Sequence, residues 1–175
     1  MCIRDRRRNF MEPVKIESKA LEAPNSLKTT VALPVIESAG GLICNKNNHI
    51  LLMFKRGKWD MPKGRVDDKG KKVSAIREVN EETGLNTSNL SIVGKLVSTW
   101  HTTRHENIKY LKKTHWYAMY YDGFDDETIP QIEEGIIECR WVHLSELPKY
   151  RALMRSRVEY VVDFWHENLA YIARS

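Results

Sequence analysis

Cysteine is scarce in this chain: Cys2, Cys44 and Cys139 are the only three in 175 residues. They are odd in number and show no paired spacing, which argues against a disulfide framework or a zinc site and fits a reducing compartment, the cytoplasm. Long apolar runs are missing too. None approaches the roughly 18 residues of a membrane span, and the N-terminus has no apolar h-region, so neither an anchor nor a secretory leader is expected. There is no internal repeat and no low-complexity tract. A strong surplus of one charge is also lacking. The net charge is +5, but residues 1–8, MCIRDRRR, hold four arginines against one aspartate and leave only +2 for the remainder. So small a surplus argues against nucleic acid as a partner. The opening itself looks like translated adaptor sequence and is set aside from fold reasoning. Were it native, it would read as a basic arm.

What remains is the composition of a globular domain, 42% hydrophobic and 29% charged, long enough to bury roughly 70% of its unfolded surface in one core. Residues 9–34 include Pro13, Pro24 and Pro34 and few large apolar side chains. They read with the opening as a loose segment, 1–34, ahead of one domain over 35–175. Within it, 36–44 and 50–54 are predicted strands joined by a turn at 45–48. Residues 90–101 and 108–121 form a long hairpin through 105–107, and 135–143 is a further strand. A long amphipathic helix is expected over 151–172, its core stripe made of Met154, Val158, Val161, Val162, Trp165, Leu169 and Ile172. Ser38, Ala39 and Gly40 are small, as where backbone approaches a ligand closely. A bulge at Gly40 and Gly41 is the alternative.

Residues 71–83 read as a helix closed by Gly84. Glu78, Glu81 and Glu82 fall within about a third of its wheel, and Val73, Ile76 and Val79 are expected on the opposite, core face. Glu81 and Glu82 lie in the last turn and Lys71 and Lys72 in the first, each against the macrodipole at a cost of about 0.3–1 kcal/mol. A solvated acidic face is the ordinary explanation. The preceding WDMPKGR changes the balance, because it puts Lys58, Lys63 and Arg65 in a tight loop beside the carboxylates. Carboxylates for a hard divalent cation then stand next to side chains suited to phosphate.

This stretch resembles the Nudix box: a glycine, then a glutamate, then Arg-Glu-apolar-x-Glu-Glu-x-Gly-apolar. The second half matches without a gap from Arg77 to Leu85, and the MPKG lead-in is similar to the family's. The first half departs from it. Twelve residues separate Gly64 from Arg77 where the pattern has thirteen, and the position of the first glutamate falls near Gly70 or Lys71. Asp67 and Asp68 are the possible stand-ins. The resemblance implies an α/β fold, the Nudix α/β/α sandwich with a mixed sheet. It also implies a divalent-metal-dependent hydrolase, with Mg²⁺ or Mn²⁺, that cleaves a phosphoanhydride in a small nucleoside diphosphate-linked or polyphosphate substrate. A Nudix-fold binding or regulatory module that has lost catalysis is the alternative, and removal of pyrophosphate from RNA 5′ ends a third.

The chemistry needs cations to neutralise the pyrophosphate and a base to make the nucleophile. By resemblance, Glu78 and Glu82 are the first metal ligands, joined by Glu81 and the Gly64 carbonyl. Glu81 is also a candidate base, and Arg77 holds a glutamate in place. Three clustered carboxylates repel one another, so metal binding should depend on pH. Outside the box, Glu134 and, just behind it, Glu133 are candidates for a base or a further ligand. Substrate-binding candidates are Arg56, Lys58, Lys63 and Arg65, with Ser38 and Ala39, and Lys112 and Lys113 add positive charge from the hairpin. Trp59, Trp100, Trp116 and Tyr117 could stack a base, though each is more simply core. His101, His105 and His115 are too loosely spaced for a metal site. A monomer or homodimer is expected.

Overall fold

The computed structural model of the protein describes residues 32–124 and 127–169. The reading of 1–34 as a loose segment therefore falls almost wholly outside the described residues. The central strands carry apolar side chains on both faces, the pattern of a sheet covered on both sides. In β1 (Val35–Asn45), Leu42 and Ile43 enter different cores, and in β2 (His49–Lys55), Ile50 and Leu52 oppose Leu51. In β6 (Ile108–Tyr121), Trp116 and Ala118 oppose Tyr117 and Met119. Each such fully buried large side chain contributes about 1.5–3 kcal/mol. Helix α1 (Lys71–Thr83) covers one face and α2 (Ser156–Glu167) the other. The result is the expected α/β/α sandwich.

The sheet has seven strands in the order β3–β2–β1–β6–β5, with β4 paired to β1 and β7 to β2. The remaining strands are β3 (Lys58–Asp60), β4 (Lys63–Arg65), β5 (Leu90–His105) and β7 (Ile136–His143). It is mixed: β1 runs parallel to β6, and the other pairs are antiparallel.

Four expectations need correction. WDMPKGR is not simply a loop, since its two ends are β3 and β4. The last helix begins at Ser156, because residues 151–155 are spent elsewhere: Met154 bridges Trp59, and the Arg155 N–H donates to the Trp59 carbonyl at 3.0 Å. Leu169 is exposed, and Ile172 lies outside the described residues. The core face of α1 is Ala75 and Val79 with Ser74 and Thr83, while Val73 is 48% exposed. The helix is rotated from its apolar stripe because two of its glutamates are drawn towards β4. Finally, no bulge is present at Gly40, and close packing within the protein already requires a glycine there. A Cβ there would lie 2.4 Å from the Pro62 carbonyl and 2.9 Å from Trp116, and pairing continues unbroken through it.

Candidate active site

The carboxylate helix is held by its surroundings more than by its ends. Its first turn has no acid, its last turn no base, and its N-cap Gly70 provides no side-chain cap. Only Gly84 closes it well, with φ 74° and its N–H returned to Asn80 at 2.8 Å. Packing on β1 supplies the rest, together with bonds made by the acidic face itself.

Glu82 is the deepest of these acids, its side chain 5% exposed. One oxygen accepts the Lys63 backbone N–H at 2.8 Å and the other the Lys55 ammonium at 3.0 Å. A buried carboxylate is tolerated only with such charge-assisted partners, so Glu82 pins α1 to β4 and β2. Lys55 Nζ also lies 3.5 Å from Glu134, which a short 3-10 turn (Ile132–Glu134) presents to the same space.

Glu78 packs directly over Gly64 of β4. Arg77 Nη1 lies 2.7 Å from Glu78 and 2.8 Å from Glu81, joining the two acids. The same guanidinium places Nε 3.2 Å from Asp67 and donates Nη2 to the Arg65 carbonyl at 2.9 Å. Asp67 also receives the Ser74 hydroxyl and the Lys69 N–H. Its slight burial raises its pKa, but those donors and Arg77 outweigh that and hold it below the ordinary value. The acid beside Arg77 is thus Asp67, not Asp68. Burial pushes the Glu78 carboxyl up; Arg77 opposes the rise, and Glu81 and Glu82 add to it.

These groups line one polar cleft of about 300 Å³, shared by Glu78, Glu81, Glu82, Glu134, Gly64, Lys55, Lys63, Arg65, Lys112 and Gln131. Of the residues singled out from sequence, it gathers the four glutamates with Gly64, Lys63, Arg65 and Lys112, while Arg77 braces it from beside the helix. It does not gather the others. Arg56 stands in the exposed β2–β3 turn and Lys58 is the exposed first residue of β3, paired with Lys55, and Ser38 and Ala39 are fully buried. Glu133 does not line the cleft, and Trp59, Trp116 and Tyr117 are core. His115 is buried, its ring bonded to Glu37 and Ser98.

Lys55 was missed by sequence reasoning. Its signal is alternation: it continues Leu51 and Met53 at a spacing of two, and Leu51 faces α1. Asp60 was missed too, and no local pattern marks it. It is 3% exposed, accepts Lys63 Nζ at 2.8 Å and the Met61 N–H at 2.8 Å, and lies 3.0 Å from Arg155 Nε. Lys112 is half-buried with no hydrogen bond or ion pair among the described residues. Burial first, and then Lys63, lower its pKa.

Among the described residues, no three acids, histidines or cysteines converge as a ready-made cation cage. Arg77 lies between Glu78 and Glu81, and Lys55 pairs with Glu82. The donor set itself, clustered carboxylate oxygens beside a backbone carbonyl, is that of a hard divalent cation.

Residues 35–162 match the family model described as NUDIX domain. The RNA pyrophosphohydrolase of Sphingopyxis alaskensis is 27% identical, the alignment covering 73% of this chain and 92% of that protein. A C. elegans Ap4A hydrolase binary complex superposes with a TM-score of 0.57 at 19% identity, over 77% of this chain and 98% of that one. The MutT protein of Methanosarcina mazei Go1 gives 0.54 at 24% identity, over 79% and 99%. At these identities the two structures speak to fold alone. Among the described residues, no helix is long and apolar enough to cross a membrane. With the box carboxylates on α1, the sandwich around them and a family match running from β1 into α2, this chain belongs to the Nudix family of hydrolases.

Proposed function

We propose that the protein is a divalent-metal-dependent pyrophosphohydrolase that cleaves a phosphoanhydride in a nucleotide-linked or polyphosphate substrate. The observation that carries this is one cleft in which Glu78, Glu81, Glu82 and Glu134 face Lys55, Lys63, Arg65 and Lys112. Carboxylates alone would repel the substrate, and cations alone would bind it without activating water.

Glu78, Glu82 and the Gly64 carbonyl, with Glu81, would hold Mg²⁺ or Mn²⁺. Such an ion neutralises phosphoryl charge and lowers the pKa of bound water. Lys63, Arg65 and Lys112 orient the phosphate chain and offset its charge. Glu81, 45% exposed and positioned by Arg77, or Glu134 from the Ile132–Glu134 turn, takes the proton of the attacking water. Arg77, fixed by Asp67 and the Arg65 carbonyl, keeps Glu78 and Glu81 aimed into the cleft. We further propose action in a reducing, cytoplasmic setting, consistent with the free thiols Cys44 and Cys139.

The test is hydrolysis with Mg²⁺, followed by chromatographic separation of the phosphorylated products, of a panel of dinucleoside polyphosphates, nucleotide sugars, nucleoside triphosphates and diphosphoinositol phosphates. The relative named RNA pyrophosphohydrolase makes 5′-triphosphorylated RNA a necessary further member. Turnover that requires the metal supports the reading. Substrate binding without any turnover would favour a module that has lost catalysis.

The raised pKa of Glu78 has a definite sign in stability. The folded protein holds this proton more tightly than the unfolded chain, so ionising Glu78 without a cation costs stability, lost as pH rises from the ordinary glutamate value through the folded one. A cation that binds the ionised form offsets that loss. The gain in Tm on adding Mg²⁺ to chelator-treated protein should therefore grow as pH rises across the carboxylate range and then level off. Glu78→Gln should abolish most of that growth. A gain independent of pH would refute this account.

A further inference from the structure

A second hollow, of about 250 Å³, lies on the α2 side of the sheet, lined by Ser98, Thr99, Trp100, Ser156, Arg157 and Tyr160. The catalytic cleft reaches towards it through Lys112, whose partner across the β5–β6 ladder is His101, the residue next to Trp100. In an antiparallel ladder such partners stand only about 5 Å apart, so the two depressions are joined by a row of nitrogenous side chains.

Their charge is poorly matched within the protein. Arg157 has Asp60 as its neighbouring carboxylate, but the oxygens of Asp60 are already taken by Lys63, Arg155 and the Met61 N–H, while Lys112 has Glu82 and Glu78 in its surroundings and bonds to neither among the described residues. Arg157 is half-buried and makes no hydrogen bond or ion pair among the described residues. Burial lowers its pKa, with Asp60 opposing and Arg155 adding to the fall. The His101 Nδ1 is buried without a hydrogen-bond partner among the described residues. Burial, then Arg157, Lys112 and Lys63, hold this imidazole down to about 4, so it is neutral at physiological pH. Desolvated cations without counter-charges are costly in a free protein. The arrangement becomes favourable when an anion lies along the row. The first turn of α2 carries one acid, Glu159, held by Arg151 at 2.9 Å. Ser156 and Arg157 open that helix, and no side-chain cap covers its N-terminal amides.

We propose that this hollow is a second anion subsite, which takes a phosphate group of the substrate remote from the bond that is cleaved, with Lys112 and His101 bridging it to the catalytic cleft. The proposal rests on the pyrophosphohydrolase reading and refines its substrate class: the enzyme would favour a long phosphate chain over a single diphosphate link. Arg157 is then a specificity residue that binds the chain without touching the reacting atoms.

The experiment has two arms. In the first, inorganic tripolyphosphate is titrated calorimetrically into chelator-treated full-length protein, comparing wild type, Arg157→Gln and Arg157→Lys, each checked for an unchanged melting temperature. Arg157→Gln should weaken binding about tenfold or more, the loss of a charge-assisted hydrogen-bonded pair, and Arg157→Lys should restore part of it. In the second arm, KM for a dinucleoside tetraphosphate should rise by a similar factor in Arg157→Gln, with kcat unchanged and KM for a nucleotide sugar unaltered. Tripolyphosphate binding indifferent to Arg157 would overturn the subsite. Weakened tripolyphosphate binding with unchanged KM would overturn its assignment to substrate and leave a free phosphate compound as the occupant. Wild-type protein inactive on both substrates would count against the hydrolase reading, while the metal-free titration would still judge the subsite.

Discussion

Glu82→Gln is expected to reduce kcat/KM at least ~100-fold, about 2.7 kcal/mol of transition-state stabilisation. The substitution keeps the shape of a side chain that is 5% exposed, so the core beside it should survive. It also keeps an oxygen that can accept the Lys63 N–H, now 2.8 Å from the carboxylate. What it removes is the negative charge that Lys55 and, in the proposed reaction, a divalent cation both require. The amide would meet the Lys55 ammonium donor to donor where a 3.0 Å ion pair stood. The loss should therefore appear in turnover and in metal affinity, with only a modest change in Tm. A purified Glu82→Gln protein with near-wild-type turnover would remove Glu82 from the proposed site.

The second large effect is expected at Gly64. A Cβ there would fall 1.9 Å from a Glu78 carboxylate oxygen, the far end of a flexible side chain, so one of the two must move. Either β4 shifts, at the 1–3 kcal/mol typical of overpacking (a rough range), or Glu78 swings out of the cleft. Both routes separate Glu78 from the Gly64 carbonyl, so Gly64→Ala should cost roughly 100-fold in turnover. A double mutant distinguishes the cause. If the methyl acts by displacing Glu78, adding Glu78→Ala should recover stability and cost no further activity, because the two changes then share one mechanism. Independent, additive losses would mean that Gly64 matters for some other reason.

Much of this protein is legible in local spacing alone. The helix over Lys71–Thr83 and its αL close at Gly84 depend on residues within a few positions of one another. So does the gap-free run from Arg77 to Leu85, and with it the family. The hairpin strands are legible for the same reason, because alternation records itself in each strand.

The cleft's full membership is not local. Lys55 reaches Glu82 across 27 residues of sequence, and Lys63 meets it through a backbone N–H, which no residue type advertises. The short strands β3 and β4 exist because β1 and β2 offer partners to three-residue segments too brief for a pattern. The start of α2 was misplaced because the Trp59 carbonyl claims the Arg155 N–H, and periodicity cannot register such a competitor. The α1 wheel misled for a related reason: it sorts residues by polarity, whereas Glu82 is buried because the Lys55 ammonium and the Lys63 N–H meet it from other strands. Asp67, Arg77 and Glu78 meet because β4 lies against α1, and Arg157 joins the surroundings of the site only because α2 folds back on β5. The sequence by itself determined the helix, the box and the kind of chemistry, since each is written in short-range spacing. Which charges face one another was decided by the tertiary structure, because packing the two helices on one sheet sets distances that chain order does not encode.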